Sequence, residues 1–253
     1  MKPTTILEVV RQVHNWPEVL SLKFGSRARR LSLLSTRDGV EVLLRRGCRD
    51  WDVFRELFLR NAYGRSLDYV ASLPAESVVL DLGGNIGCFS LRAASLNPNI
   101  RLHSYEPGPP NLRIFRLNLL ANPTLAARID LHAEAVAGRA TTTQWSFDED
   151  NAGGSSLYGR PTGVTHPVTV RAFSEILTAI PSAIGLVKID IEGAEYDVLR
   201  ETPAEAWSRV AAFTIELHDD PTGAMTREQA RNRFQELGYT VERDDEWTFF
   251  CRR

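Results

Sequence analysis

From Ser77 to the last residue, short apolar runs alternate with stretches whose apolar residues recur every three or four positions, and this alternation limits the fold more tightly than anything else in the chain. The runs "VVLDL", "IRLHSYE", "RIDLHAEAV", "GLVKIDI" and "VAAFTIEL" read as strands, and "CFSLRAASL", "PPNLRIFRLNLLAN", "GAEYDVLRE" and "TREQARNRFQEL" as helices. Nearly continuous apolar strands separated by amphipathic helices require a mainly parallel sheet covered on both faces. The closing "YTVERDDEWTFFCRR" reads as two strands about an acidic turn, which adds an antiparallel hairpin and brings the strand count to seven.

The first 70 residues are patterned differently. "TTILEVVRQV" has helical spacing, "LSLLSTRDGVEVLL" reads as two strands around Asp38-Gly39, and a helix follows Asp50 and stops near Gly64. We therefore expect a helix-hairpin-helix lobe over residues 1–70 and a sheet domain over 71–253. The stretch 146–167 is rich in Gly, Ser and Asp and reads as a lid loop, with Tyr158, Arg160 and His166 able to meet an acceptor.

The turn after the first strand, "DLGGNIG", sits where a doubly wound sheet binds its ligand, beyond the carboxyl ends of the strands. Glycines there admit positive φ and close backbone approach, so Gly83, Gly84, Asn85 and Gly87 are candidate cofactor contacts. A dinucleotide fits poorly. Asn85 stands where the second glycine of Gly-x-Gly-x-x-Gly belongs, and the carboxylate of Asp81 would repel a pyrophosphate. The same carboxylate favours an ammonium, which points to S-adenosylmethionine. Glu106, nineteen residues past Gly87 at the end of the second strand, is placed to accept hydrogen bonds from a ribose diol, and Glu134 to meet an adenine amino group.

With these residues in place, "DLGGNIGCFSL", "SYEPGPPNLRIFRLNL", "AVAG" and "VKIDIEGAEYDVLRE" resemble, in that order, the FkbM-type methyltransferases, and "DWDVFRELFLRNAYG" extends the resemblance back to about residue 50. The "KIDIEGAE" element is its most specific part. The resemblance implies a Rossmann-like class I methyltransferase fold and methyl transfer to hydroxyls of sugars, polyketides and other natural products. Gly84 stands where the family usually has another small residue.

Methyl transfer to an alcohol needs in-line alignment and removal of a proton. Lys188 and Asp190 share one face of their strand, and Glu216 and His218 share one face of the next, so the four are expected to converge. Two readings follow. In one, His218 is the general base and Asp190 orients cofactor or acceptor. In the other, Asp190 and Glu216 hold Mg²⁺, with His218 or Lys188 as base. The metal-free version is preferred. Structural roles remain open as well, with Lys188 pairing Asp190 at the strand end and His218 capping a loop.

A formal charge of -2 gives no global attraction to nucleic acid or anionic lipid, and an Asn-Pro-Pro-Tyr-like element is missing after the fourth strand. The expected partner is a small molecule, with neither nucleic acid nor membrane. Cys48, Cys88 and Cys251 lie far apart, with neither metal-ligand nor redox spacing, and the N-terminal run is unlike a signal peptide, so the expected location is cytoplasmic. An NAD-dependent oxidoreductase and a methyltransferase-like module without catalysis are the rival readings.

Overall fold

The structure, a computed structural model, describes residues 3–25, 30–146 and 165–253. Its N-terminal part runs through α1 (Pro3–Gln12), α2 (Pro17–Phe24), the antiparallel pair β1 (Leu31–Ser35) and β2 (Glu41–Arg45), α3 (Asp50–Phe54), a π-helical turn at Arg55–Leu59, and α4 (Gly64–Ser72). The rest comprises β3 (Val78–Leu82), α5 (Cys88–Leu96), β4 (Arg101–Tyr105), α6 (Pro109–Ala121), α7 (Pro123–Ala126), β5 (Ile129–His132), β6 (Ala135–Ala137), β7 (Thr141–Ser146) and β8 (Thr165–Ala172). After these come α8 (Phe173–Ala179), β9 (Ile184–Ile189), α9 (Glu195–Glu201), α10 (Ala204–Trp207), β10 (Val210–Glu216), α11 (Arg227–Glu236), β11 (Thr240–Arg243) and β12 (Thr248–Arg252).

Seven strands form the main sheet in the order β11-β12-β10-β9-β3-β4-β5, with β12 antiparallel to both its neighbours and the other adjacent pairs parallel. The expected fold class holds, and the closing hairpin folds back on itself. Its second strand, β12, takes the place beside β10 and leaves β11 at the edge. Burial explains the order: Thr248, Phe249, Phe250 and Cys251 are all buried, whereas the residues of β11 are half-buried or exposed. The run "RIDLHAEAV" is not one strand. The chain leaves the main sheet after His132, and β6 joins a separate three-stranded sheet with β8 and β7.

Alternation along the central strands divides the core into two layers. Val79, Leu102, Leu186 and Ala212 pack on one face with α5, and the same apolar cluster takes in Val13, Leu34, Val42, Leu44 and Phe54 of the N-terminal part. Leu80, Val187, Phe213 and Ile215 point to the other face, where Phe173, Trp207 and Phe234 close over them. Each buried Val, Leu, Ile or Phe among them contributes roughly 1.5–3 kcal/mol by leaving water. A hydrogen-bonded chain reinforces the first layer near the site. Asp50 accepts two guanidinium bonds and a backbone bond from Arg45, and Arg45 donates in turn to Asn111 of α6.

Candidate active site at the carboxyl ends of β3, β9 and β10

The glycine turn is shaped largely by the protein itself. Gly83 and Gly87 have φ of +81° and +90°, conformations that L side chains avoid. A Cβ on Gly83 would overlap the backbone carbonyl of Asp190, and one on Gly87 would enter the ring of Phe115. The missing side chains thus make room for the chain leaving β9 and for α6. The turn is fixed by the N–H groups of Gly83 and Gly84, which both donate to the carbonyl of Tyr105, at 3.0 and 2.9 Å.

Asp81 turns its charge inward. It is fully buried, accepts 2.6 Å from the hydroxyl of Ser90, and lies 3.4 Å from the Lys188 ammonium, its register partner on β9. Lys188 also donates to the Gly83 carbonyl at 2.7 Å and lies 3.3 Å from Asp190. Burial works against the lysine's charge, but Asp190 and Asp81 outweigh it and hold the ammonium above its ordinary pKa. The buried pair therefore ties β3, the glycine turn and β9 into one unit.

Glu106 closes β4 as expected, only 6% exposed. Its carboxylate accepts from the N–H groups of Asn85 and Gly108, at 2.9 and 2.8 Å, and from the Asn111 amide at 3.4 Å. Burial dominates these bonds and lifts its pKa to about 7. Glu134 stands apart, in the connection between β5 and β6, with Arg171 at 3.8 Å.

The four polar residues expected to converge do so, in two adjoining groups. Lys188, Asp190 and Glu216 line a cavity of about 300 Å³ together with Gly83, Asn85 and Trp247. Tyr63, just before α4, reaches into the same cavity. Its hydroxyl is 2.9 Å from Glu216 and 3.3 Å from Asp190, and its ring meets Phe89 edge-on. Burial and these two carboxylates push the phenol well above its usual range, so it serves as a donor. Burial and Asp190 raise the pKa of Glu216 in turn.

His218 forms the second group with Glu192 and Glu195. Its Nδ1 lies 3.0 Å from Glu195, and its Nε2 lies 3.5 Å from Glu192 and 3.9 Å from Glu216. Glu195 is fully buried and accepts the N–H groups of Ile191 and Gly193. Burial opposes a charge on His218, yet Glu195, Asp190 and Glu192 raise its pKa to about 9. Burial and Asp190 push Glu192 up to about 7.

The sequence reading did not single out Tyr63, Glu192 or Glu195. The last two were visible in "KIDIEGAE", but strand alternation gives no direction to side chains in the connection after β9. Tyr63 carried no periodic signal, and its left-handed backbone (φ +61°) is a tertiary outcome. Of the proposed lid residues, Tyr158 and Arg160 lie outside the described residues, as does most of 146–167. His166 is exposed on β8.

A family model for the FkbM methyltransferase domain matches residues 81–241. The chain belongs to the FkbM methyltransferase family. The chain is 26% identical over 216 residues to Methyltransferase 1 of Beauveria bassiana, covering 76% of this chain and 83% of that protein. It is 29% identical over 197 residues to the 31-O-demethyl-FK506 methyltransferase FkbM of Streptomyces tacrolimicus, covering 66% of this chain and 74% of that one. A solved S-adenosylmethionine-dependent methyltransferase from Agrobacterium tumefaciens superposes with a TM-score of 0.50 at 13% identity, over 88% of this chain and 70% of that one, and so shares its fold. The family makes this chain an S-adenosylmethionine-dependent methyltransferase. Among the described residues, no helix is long and apolar enough to cross a membrane.

Proposed function

We propose that this FkbM-family enzyme moves the methyl group of S-adenosylmethionine to a hydroxyl of a small molecule, a sugar or a polyketide-type alcohol. The observation that carries this reading is the placement of Glu216 and Asp190, bridged by the Tyr63 hydroxyl, in the cavity that the glycine turn borders. The donor set suits this cofactor. Glu56, Asp190, Glu216 and Asp245 line the cavity, while its lysine is already engaged by Asp81 and Asp190, so the charge favours a cation and opposes a pyrophosphate. Glu106 would hold the ribose diol, and the carboxylates at the cavity would face the ammonium and sulfonium side. Bound there, the cofactor supplies an electrophilic methyl group.

The protein's own task is to orient the acceptor and take its proton as the oxygen–carbon bond forms and the carbon–sulfur bond breaks. Glu216 suits the proton transfer, because burial and Asp190 raise its basicity while the Tyr63 hydroxyl fixes its carboxylate. His218, held near pKa 9 by Glu195 and its neighbours, rests as imidazolium at neutral pH and is poorly suited to the base role the sequence suggested. The test is a screen of sugar and polyketide alcohols with S-adenosylmethionine carrying a ¹³C-methyl group, read by carbon–proton correlation. An O-methyl signal in an alcohol acceptor supports the reading. An N-methyl or C-methyl product, with alcohols inert, overturns it.

A further inference from the structure

Among the described residues, one set of side chains brings three potential metal ligands together: Asp190 after β9, Glu192 in the following connection, and His218 after β10 each offer an atom within 4.8 Å of the others. A separate feature of the fold aims the imidazole. Glu195, fully buried and held by the N–H groups of Ile191 and Gly193, takes the Nδ1 side of His218. That contact assigns the Nδ1 proton to the bond with Glu195 and leaves Nε2 aimed at Glu192 and Glu216, where an ion that binds displaces the proton Nε2 carries in the ion-free protein. A carboxylate behind the remote nitrogen is the usual support for a metal-bound histidine, where it fixes the tautomer and strengthens the ligand. Glu195 has no access to solvent, so its position is explained by what it does to His218 and to the two backbone amides.

We propose that Asp190, Glu192 and His218 form a binding site for a divalent first-row transition ion, with Glu195 as the positioning residue behind the histidine. One imidazole and two carboxylates suit Mn²⁺, Fe²⁺ or Zn²⁺ better than Mg²⁺, which prefers oxygen ligands alone. The set also differs from the Asp190 and Glu216 pair suggested by sequence, because the Tyr63 hydroxyl bridges those two carboxylates. Asp190 borders both the cavity and the metal cluster, so an ion held there lies beside Glu216. Its role rests on the methyl-transfer reading: it would polarise the acceptor hydroxyl and ease proton loss to Glu216. Its binding does not rest on that reading.

The experiment uses the full chain, stripped with chelator and titrated with Mn²⁺ under electron paramagnetic resonance, with Zn²⁺ and Mg²⁺ followed by calorimetry and S-adenosylhomocysteine binding measured on the same samples. We expect one Mn²⁺ per chain, tighter than Mg²⁺, with a histidine nitrogen coupled to the bound ion in the electron spin echo. Glu192→Gln and His218→Gln should each weaken Mn²⁺ binding at least tenfold, and Glu195→Gln by about 10- to 100-fold. The nitrogen coupling is read on the unaltered protein, so it stands even if a variant fails to fold. Absence of stoichiometric Mn²⁺ and Zn²⁺ binding, or a bound ion without nitrogen coupling, overturns the proposal. If the chain binds Mn²⁺ as described but not S-adenosylhomocysteine, the site stands and the methyl-transfer reading fails.

Discussion

Replacing Lys188 by methionine keeps the unbranched stem, one atom shorter, and removes the charge, which largely isolates the electrostatic work done at the core of this site. In the native protein the ammonium, 4% exposed, faces Asp81 at 3.4 Å and Asp190 at 3.3 Å and donates to the Gly83 carbonyl. Asp81 has no exposed surface, and among the described residues its Oδ1 has no hydrogen-bond partner, so Lys188 is its main compensation there. Stranding a buried charge in this way costs about 3–5 kcal/mol, part of it from the carbonyl left without its donor. For a chain of this size that is a fall in melting temperature on the order of 10 °C. Adding Asp81→Asn removes the stranded charge and should recover about half of the loss. The assay is urea unfolding of the native protein, both single variants and the double variant from pH 5 to pH 8. A Lys188→Met variant within 1 kcal/mol of the native protein across that range, or one that Asp81→Asn does not rescue, would refute the reasoning.

Three further outcomes are expected. Tyr63→Phe removes the hydroxyl that steadies Glu216 and costs roughly 1 kcal/mol of stability. It should also shift the acidic limb of the turnover profile to higher pH, because that hydrogen bond lowers the pKa of Glu216, with little change in S-adenosylhomocysteine affinity; an unmoved limb would remove Glu216 from the base role. Gly87→Ala should cost several kcal/mol, since φ +90° and the Phe115 ring both oppose a Cβ, and Phe115→Leu should restore part of it; full stability of the single variant would show that the turn is not packed as described. Glu106, raised to about 7 by burial, holds its proton more tightly in the folded chain than unfolded, where its pKa is 4.5. Its contribution is therefore present below pH 4.5 and lost as pH rises to about 7, amounting to at most about 3 kcal/mol. Thermal melts of the ligand-free protein between pH 4.5 and 8 should show this fall, and a slope unchanged in Glu106→Gln would assign it elsewhere.

Much of the fold could be read from the chain because β3, β9 and β10 are covered on both faces and so are written as apolar runs. Lys188 and Asp190 stood out for the same reason, as charges on one side of an otherwise apolar strand. What stayed hidden depends on contacts between distant residues. Nothing in "RIDLHAEAV" marks the point where the chain changes sheets, because β5 and β6 are both short and partly apolar. The order of the last two strands follows from the burial of Phe249 and Phe250, which a hairpin pattern does not encode. The glycines were legible as a turn, whereas the Asp190 carbonyl and Phe115 that fill the space beside them lie 107 and 28 residues further along the chain. Asp81 reads in the sequence as a contact for the cofactor's ammonium, whereas in the described structure the ammonium beside it is that of Lys188.

The central claim is a donor site between the glycine turn, Glu106 and the carboxylates of β9 and β10, and calorimetric titration tests it most directly. S-adenosylmethionine, S-adenosylhomocysteine and NAD are titrated in parallel into the purified protein and into Glu106→Ala. The account predicts saturable one-to-one binding of the first two, no binding of NAD, and a clear loss of affinity in the variant. Binding of NAD in place of the methyl donor, or full affinity for the donor in Glu106→Ala, would contradict it.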